Sequence, residues 1–471
     1  MVINVSGVTV THGTGTDAVQ SLNNQQNLAI DGGSSLTVTG AFTEGSGHIL
    51  SVDAASTFTV NGAATINGAS LFVSGASLLS LPGATTYDVS GVSISPTLRA
   101  DGTGSRLNLS AVTTWRGAGG VSDGNRFNVQ TSNGGTVDLS HVATISAGNT
   151  YVQALDGGQV NLAALTSFTG AALGGFNNLD ARRGGASIVA PSLTNLTNVD
   201  LNLGGNATLP VAGLTSFLHG NITVLTDGGS GGMLTLPVST IDELGFSISL
   251  TFRADGTGRR LDLSAVTTWH PPGSASDGNR INVQALNSGT VDLSHVATIS
   301  AGNTYFQAQD GGQINLSALT SFNGAAIGGA DGLDARRGGA ITLNSGATAV
   351  SNVLVFVDPM GTITAGTLQL ASGSSLTGSG TITANLVNDA EVRPDLETDT
   401  LVITGNYTQD ATGTVIRLGT LTVNGLLTWA GGTMSGAGTT NANGGLSPAA
   451  MWSRRSMAAR STTAAPAPGP A

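Results

Sequence analysis

Thr136-Val137-Asp138-Leu139-Ser140-His141-Val142-Ala143-Thr144-Ile145 is the stretch that decides the fold. Apolar residues stand at Val137, Leu139, Val142 and Ile145, with polar residues between them. The spacing recurs upstream as Leu107, Leu109, Val112 and Trp115. Downstream it recurs as Val160, Leu162, Leu165 and Phe168, then as Ile188, Ala190, Leu193 and Leu196. Two weaker rows follow: Leu209, Val211, Leu214, Phe217, and then Leu236, Val238, Ile241, Leu244. The first apolar position moves from 107 to 137, 160, 188, 209 and 236, in steps of 30, 23, 28, 21 and 27. A strand-like unit repeating at this interval buries its apolar edge only against its neighbours, which is the pattern of a solenoid.

Stacking the rows in register shows what the repeat builds. Val112, Val142 and Leu165 form one column, and Trp115, Ile145 and Phe168 another. Residues i and i+2 share a face of a strand, so these columns are expected to be inward apolar ladders. Both Trp115 and Trp269 are therefore expected inside the coil. Between the ladders, Asn108, Asp138 and Asn161 form an outward polar column, flanked by Arg106, Thr136 and Gln159. The expected fold is all-β: an elongated, right-handed parallel β-helix with rungs of about 20–30 residues. A leucine-rich repeat is the rival, because Leu261-Asp262-Leu263-Ser264 has some of that look. Its convex side needs helical turns, which Gly/Thr/Asn-rich segments supply poorly.

Composition agrees. Gly 69 is about twice ordinary usage, and charged residues at 10% fall below the usual quarter. The chain has no Lys and four Glu, so little is present to build long helices. A formal charge of −11 without a basic cluster argues against nucleic acid and against an anionic membrane surface. Cys is absent, which excludes disulfides and thiolate metal sites. No apolar run reaches the ~18 residues of a membrane span, and the start lacks the pattern of a signal peptide. If the protein is exported, its leader is expected outside this chain.

Residues 1–96 read as an irregular N-terminal solenoid segment of short alternating runs such as Ser35–Thr39 and Thr57–Asn61. The centre is a duplication: Arg99–Ala186 aligns without a gap on Arg253–Ala340, offset 253 − 99 = 154, with 68 of 88 pairs identical. Residues 97–250 are read as the first copy with its extension, and 251–340 as a partial second copy. From 341 to 446 the language changes to Thr400-Leu401-Val402-Ile403-Thr404-Gly405-Asn406-Tyr407-Thr408-Gln409, followed by Gly413–Leu418 and Leu421–Gly425. After Leu446 the strand pattern stops, and 447–471 is expected to be a disordered tail or a reading-frame product.

The 400–425 segment resembles the β-strand repeats of bacterial autotransporter passengers and other large surface adhesins. The central DLS…LTS…GG units are similar to β-strand-repeat surface proteins. The resemblance extends over most of residues 30–446, and that family's C-terminal translocator barrel is not in this sequence. It implies an extracellular or cell-surface location and a structural or adhesive role. The implied partner is carbohydrate or a host or neighbouring cell surface.

Three constellations are candidates for chemistry. Asp262 and Asp292 take the places of Asn108 and Asp138 on adjacent turns, so their carboxylates are expected one strand spacing apart, near the separation used by retaining glycosidases. A polysaccharide lyase or hydrolase using this pair is the rival to a structural, non-catalytic stalk. The column changes to Val189, Pro210 and Pro237 on later turns, and no Lys exists to act as a lyase base. The second constellation is the loops SDGNR (Asp123–Arg126, Asp277–Arg280) and LDARRGG (Asp180–Gly185, Asp334–Gly339), whose Arg suits an acidic sugar or a surface ion bridge. The third is the Asp-Gly set at Asp31, Asp101, Asp156, Asp227, Asp255 and Asp310, read as turn formers rather than calcium ligands. The expected ligand-facing polar column thus comprises Asp138, Asp262, Asp292, Arg126 and Arg280, with no cofactor. Of the six His, His141 and His295 are equivalent and follow a Ser at a strand corner.

Overall fold

A computed structural model describes residues 1–89, 93–118, 125–146, 148–171, 177–229, 231–273, 278–300, 302–325, 331–394 and 396–448. The chain divides into two compact units, Met1–Val238 and Ser239–Ala471, each holding one copy of the duplication. Among the described residues there is no helix, and every pairing between named strands is parallel. Both units are parallel β-helices.

Each full coil contributes a strand to three faces. In the first unit the coil from Phe127 supplies Phe127–Ser132 to a first face, Thr136–Asp138 to a second and Thr144–Ile145 to a third. The next coil supplies Thr150–Leu155, Gln159–Asn161 and Ser167–Thr169. Register is kept across all three: Val129 pairs with Val152, Val137 with Val160 and Ile145 with Phe168. The opening decapeptide thus spans the second face, the corner and the third face. Its four apolar residues are all at most 3% exposed, as are those of the rows beginning at Leu107, Val160 and Ile188.

The corners explain the sequence between strands. At the first corner, Asp156 and Gly157 both adopt positive φ (51° and 80°), and a Cβ on Gly158 would sit 2.7 Å from the Thr131 carbonyl carbon of the coil below. Asp310, Gly311 and Gly312 repeat the arrangement. The last glycine is therefore required by the close approach of the coil below, while the first two positions need only positive φ, which Asn287 and Ser288 also adopt on a neighbouring coil.

Trp115 and Trp269 lie inside, 3% and 2% exposed. Each indole N–H donates to a threonine hydroxyl, Trp115 to Thr150 at 3.2 Å and Trp269 to Thr304 at 3.0 Å. The ladder begins one coil earlier than the sequence rows indicate, because Tyr87 pairs with Trp115 and stacks on it at 5.7 Å.

Two register expectations are corrected. Ile241, not Leu244, pairs with Trp269, and Leu244 is 51% exposed. In that coil the inward set is Leu234, Leu236, Val238 and Ile241, all buried, and the third-face residue follows the first by seven positions rather than eight. Leu209, opening the fifth row, is half-buried rather than fully inward. In the C-terminal part, Thr362–Leu370 and Thr381–Asn388 run as single long strands, and their register shifts between Thr364 and Thr367. That merging of two faces disturbs the repeat spacing read there.

Candidate functional site

The acidic column is assembled as its register requires. Asn108 pairs with Asp138 and Asp138 with Asn161; in the second copy Asp262 pairs with Asp292 and Asp292 with Asn315. It is not a solvated face, however. The Asp138, Asp262 and Asp292 side chains are only 12%, 15% and 13% exposed. One oxygen of each accepts the backbone N–H two residues on, from Ser140 (3.2 Å), Ser264 (3.0 Å) and Ser294 (3.1 Å). Asn108, Asn161 and Asn315 do the same for Ser110, Ala163 and Ser317. The column closes the second-face strand with a side-chain cap on the corner that follows.

The remaining carboxylate oxygens face arginine. Arg106 reaches Asp138 at 3.0 Å, and Arg260 reaches Asp292 at 2.7 Å and Asp262 at 3.8 Å. Asn161 and Asn315 add a second donor to Asp138 and Asp292. One guanidinium thus lies between Asp262 and Asp292, within 3.8 Å of the first and 2.7 Å of the second.

Arg126 and Arg280 stand apart from that column. They precede the first-face strands Phe127–Ser132 and Ile281–Leu286, so the expected five-residue set divides between two faces. Arg126 donates through Nε to Asn128 at 3.1 Å and lies over the Tyr151 ring at 4.5 Å. Arg280 matches it on Asn282 at 2.8 Å and over Tyr305 at 4.7 Å. Asp123 and Asp277, their expected partners, lie outside the described residues.

The LDARR segments are corrected from loop to strand: Asn178–Arg182 and Gly332–Arg336 are first-face strands. The Asp180 side chain is fully buried, accepting from Tyr151 Oη at 2.7 Å, Gln153 Nε2 at 3.0 Å and Arg182 Nε at 2.6 Å. Asp334 repeats the bonds to Tyr305 and Arg336. Burial, reinforced by the neighbouring aspartate, pushes the Tyr305 hydroxyl up to about 12 and that of Tyr151 higher still. The second arginine of each pair reaches back to the Asp-Gly-Gly turn: Arg183 forks onto Asp156 and Arg337 onto Asp310. The Arg337 contact, with Gln309, holds the Asp310 carboxyl below the usual range.

The Asp-Gly aspartates work as turn and inter-coil acceptors. Asp31 accepts from Gly32 N–H at 2.6 Å, and Asp255 from Asn287 at 2.7 Å. Hydrogen bonds from Asn133 and Ser132 hold the Asp101 carboxyl low. Among the described residues no group of three or more His, Asp or Glu is placed to hold a metal ion. His295 Nδ1–H donates to the Ser264 carbonyl of the coil below at 2.6 Å, and His141 does likewise with Ser110.

Two features escaped the repeat pattern. One is a shallow groove of about 400 Å³ on the first face of the first unit, bordered by Asp31, Asp53, Phe72, Arg99 and Asp101. The other is a polar patch inside the N-terminal coils, where the Glu44 side chain is buried and accepts from Asn24 Nδ2 at 2.7 Å. Burial raises the Glu44 carboxyl to about 8. Asn24 and Glu44 occupy inward positions where alternation otherwise calls for apolar residues, which was the only available sequence signal.

No family model, curated protein or solved structure matches the chain.

Proposed function

We propose that the chain is a structural and adhesive β-helix segment of a bacterial surface or secreted protein, and that it works without catalysis. What carries this reading is the state of the outward carboxylates. In both copies they are taken up by corner N–H groups and by arginine, as in a corner cap. The first face instead presents amides, tyrosine and arginine in rows about 4.8 Å apart, a surface suited to repeated weak contacts with a polymer. The resemblance of residues 30–446 to β-strand-repeat surface proteins supports a location at the cell surface, with carbohydrate or another cell's surface as partner.

The test is incubation of the full chain with pectin, alginate and neutral glucans, scoring both retention and depolymerisation, together with adhesion to intact cells. Saturable retention without turnover is the expected result. Turnover that disappears in Asp262→Asn would overturn it in favour of a polysaccharide-degrading enzyme built on Asp262 and Asp292.

A further inference from the structure

The duplication supplies an internal comparison for the first face. Arg126 and Arg280 are equivalent and sit over equivalent tyrosines. Their surroundings differ. Arg126 is half-buried, uses Nε on Asn128, and has no carboxylate partner among the described residues. Every other arginine of that unit holds an aspartate: Arg99, Arg106, Arg116, Arg182 and Arg183. In the second copy, Asn177 is replaced by Asp331, a buried carboxylate on which the Arg280 charge acts.

A second difference points the same way. Gln130, on the same strand face as Arg126 and Asn128, has a side-chain amide without a hydrogen-bond partner among the described residues. Its counterpart Gln284 donates to Gln307 at 3.1 Å. Among the described residues, the first copy therefore presents a guanidinium without a carboxylate partner beside an amide without a hydrogen-bond partner, while in the second the amide is bonded and the guanidinium lies in the field of a buried carboxylate. The unmatched pair is also continuous with the groove. Ser51 pairs with Phe72, Phe72 with Arg99 and Arg99 with Gln130, so one outward column leads from the groove floor to Gln130.

We propose that this face of the first copy binds a carboxylate-bearing polysaccharide lying across successive coils, with Arg126 pairing a sugar carboxylate and Gln130 a neighbouring hydroxyl, and that the second copy does not. The proposal rests on the adhesive reading above and names its ligand and its site. A guanidinium fork matches a carboxylate in two parallel hydrogen bonds, and a single guanidinium without a carboxylate partner among the described residues suits one sugar carboxylate. A peptide fits less well. The strands here are paired on both sides, so no edge is open for strand addition, and a flat row of amides offers no pocket for apolar anchors. Sugar hydroxyls match amides, and half-buried Phe72 gives a ring for a sugar face in the groove.

Calorimetry on the full chain with de-esterified oligogalacturonate, its methyl ester and polyglutamate tests this. The acid form is expected to bind at one site per chain and the methyl ester at least about tenfold more weakly. Arg126→Gln is expected to cost about tenfold or more, Arg126→Lys less because the charge survives without the fork, and Arg280→Gln under about twofold. A circular dichroism melt of each variant shows whether it is folded, and Arg126→Lys carries the test if Arg126→Gln is not. Equal binding of acid and ester, or equal losses in the Arg126 and Arg280 variants, would overturn the proposal, as would polyglutamate binding as tightly. Cell adhesion kept without acid preference would sink this inference alone; loss of all glycan and cell binding would sink the adhesive reading with it.

Discussion

Asp331→Asn turns the duplication into an experiment on stability. Asp331 is 1% exposed and accepts from Thr304 N–H at 2.7 Å and Ala325 N–H at 2.9 Å. Burial outweighs those bonds and raises its carboxyl from 3.8 to about 6. The folded state therefore holds this proton more tightly than the unfolded chain. Stability from this group is complete below about pH 4, falls as pH rises toward about 6, and is then level. A shift of about two units corresponds to about 3 kcal/mol. Asn177 shows what a neutral residue does at the equivalent place: its Oδ1 accepts Thr150 N–H at 2.9 Å and its Nδ2 donates to Asn149 at 3.3 Å. In the variant the Ala325 N–H loses its acceptor, at a cost of about 1 kcal/mol, and a donor toward Asn303 is gained. The variant should be level with or slightly below wild type near pH 4 and about 2 kcal/mol more stable near pH 8. Urea unfolding followed by circular dichroism across that range measures it, and subtracting the two proteins cancels the pH dependence of other groups. A difference that stays constant with pH would refute the reasoning.

Three further outcomes follow from the same interior. Glu44→Gln keeps the Asn24 bond and removes a carboxyl raised from 4.5 to about 8, so it should abolish a fall in stability on the order of 5 kcal/mol between those pH values, read from urea midpoints. Trp269→Ala should cost ~3–5 kcal/mol in the Ser239–Ala471 unit, and Trp115→Ala a similar amount in the Met1–Val238 unit, each seen as a lowered melting temperature; red-shifted, iodide-quenchable fluorescence from either indole would contradict its burial. Asp138→Ala strands Ser140 N–H, Asn161 and Arg106 together and should cost ~1–3 kcal/mol, whereas Asp138→Asn, which copies Asn108 and Asn161, should cost less by the same unfolding assay.

The sequence by itself determined the coil: alternation is a local property of a strand, and a ladder of Val137, Val160 and Ile188 is legible as soon as rows are stacked. It also placed both tryptophans inside and put Asp262 beside Asp292. Only the tertiary structure decided what many of the outward groups do, because partners such as Asp138 for Arg106 and Asp180 for Tyr151 lie one coil away, across 32 and 29 residues of chain whose corners vary in length. A shorter corner moved Ile241 into the tryptophan column and left Leu244 in solvent. The same dependence buried Asp180 under Tyr151, closed Arg260 over two carboxylates, and left Arg126 without a carboxylate partner among the described residues where the charge of its copy acts on Asp331. Identical local sequence produced different sites because the charge of a neighbouring coil, not the strand's own pattern, sets the field each side chain meets.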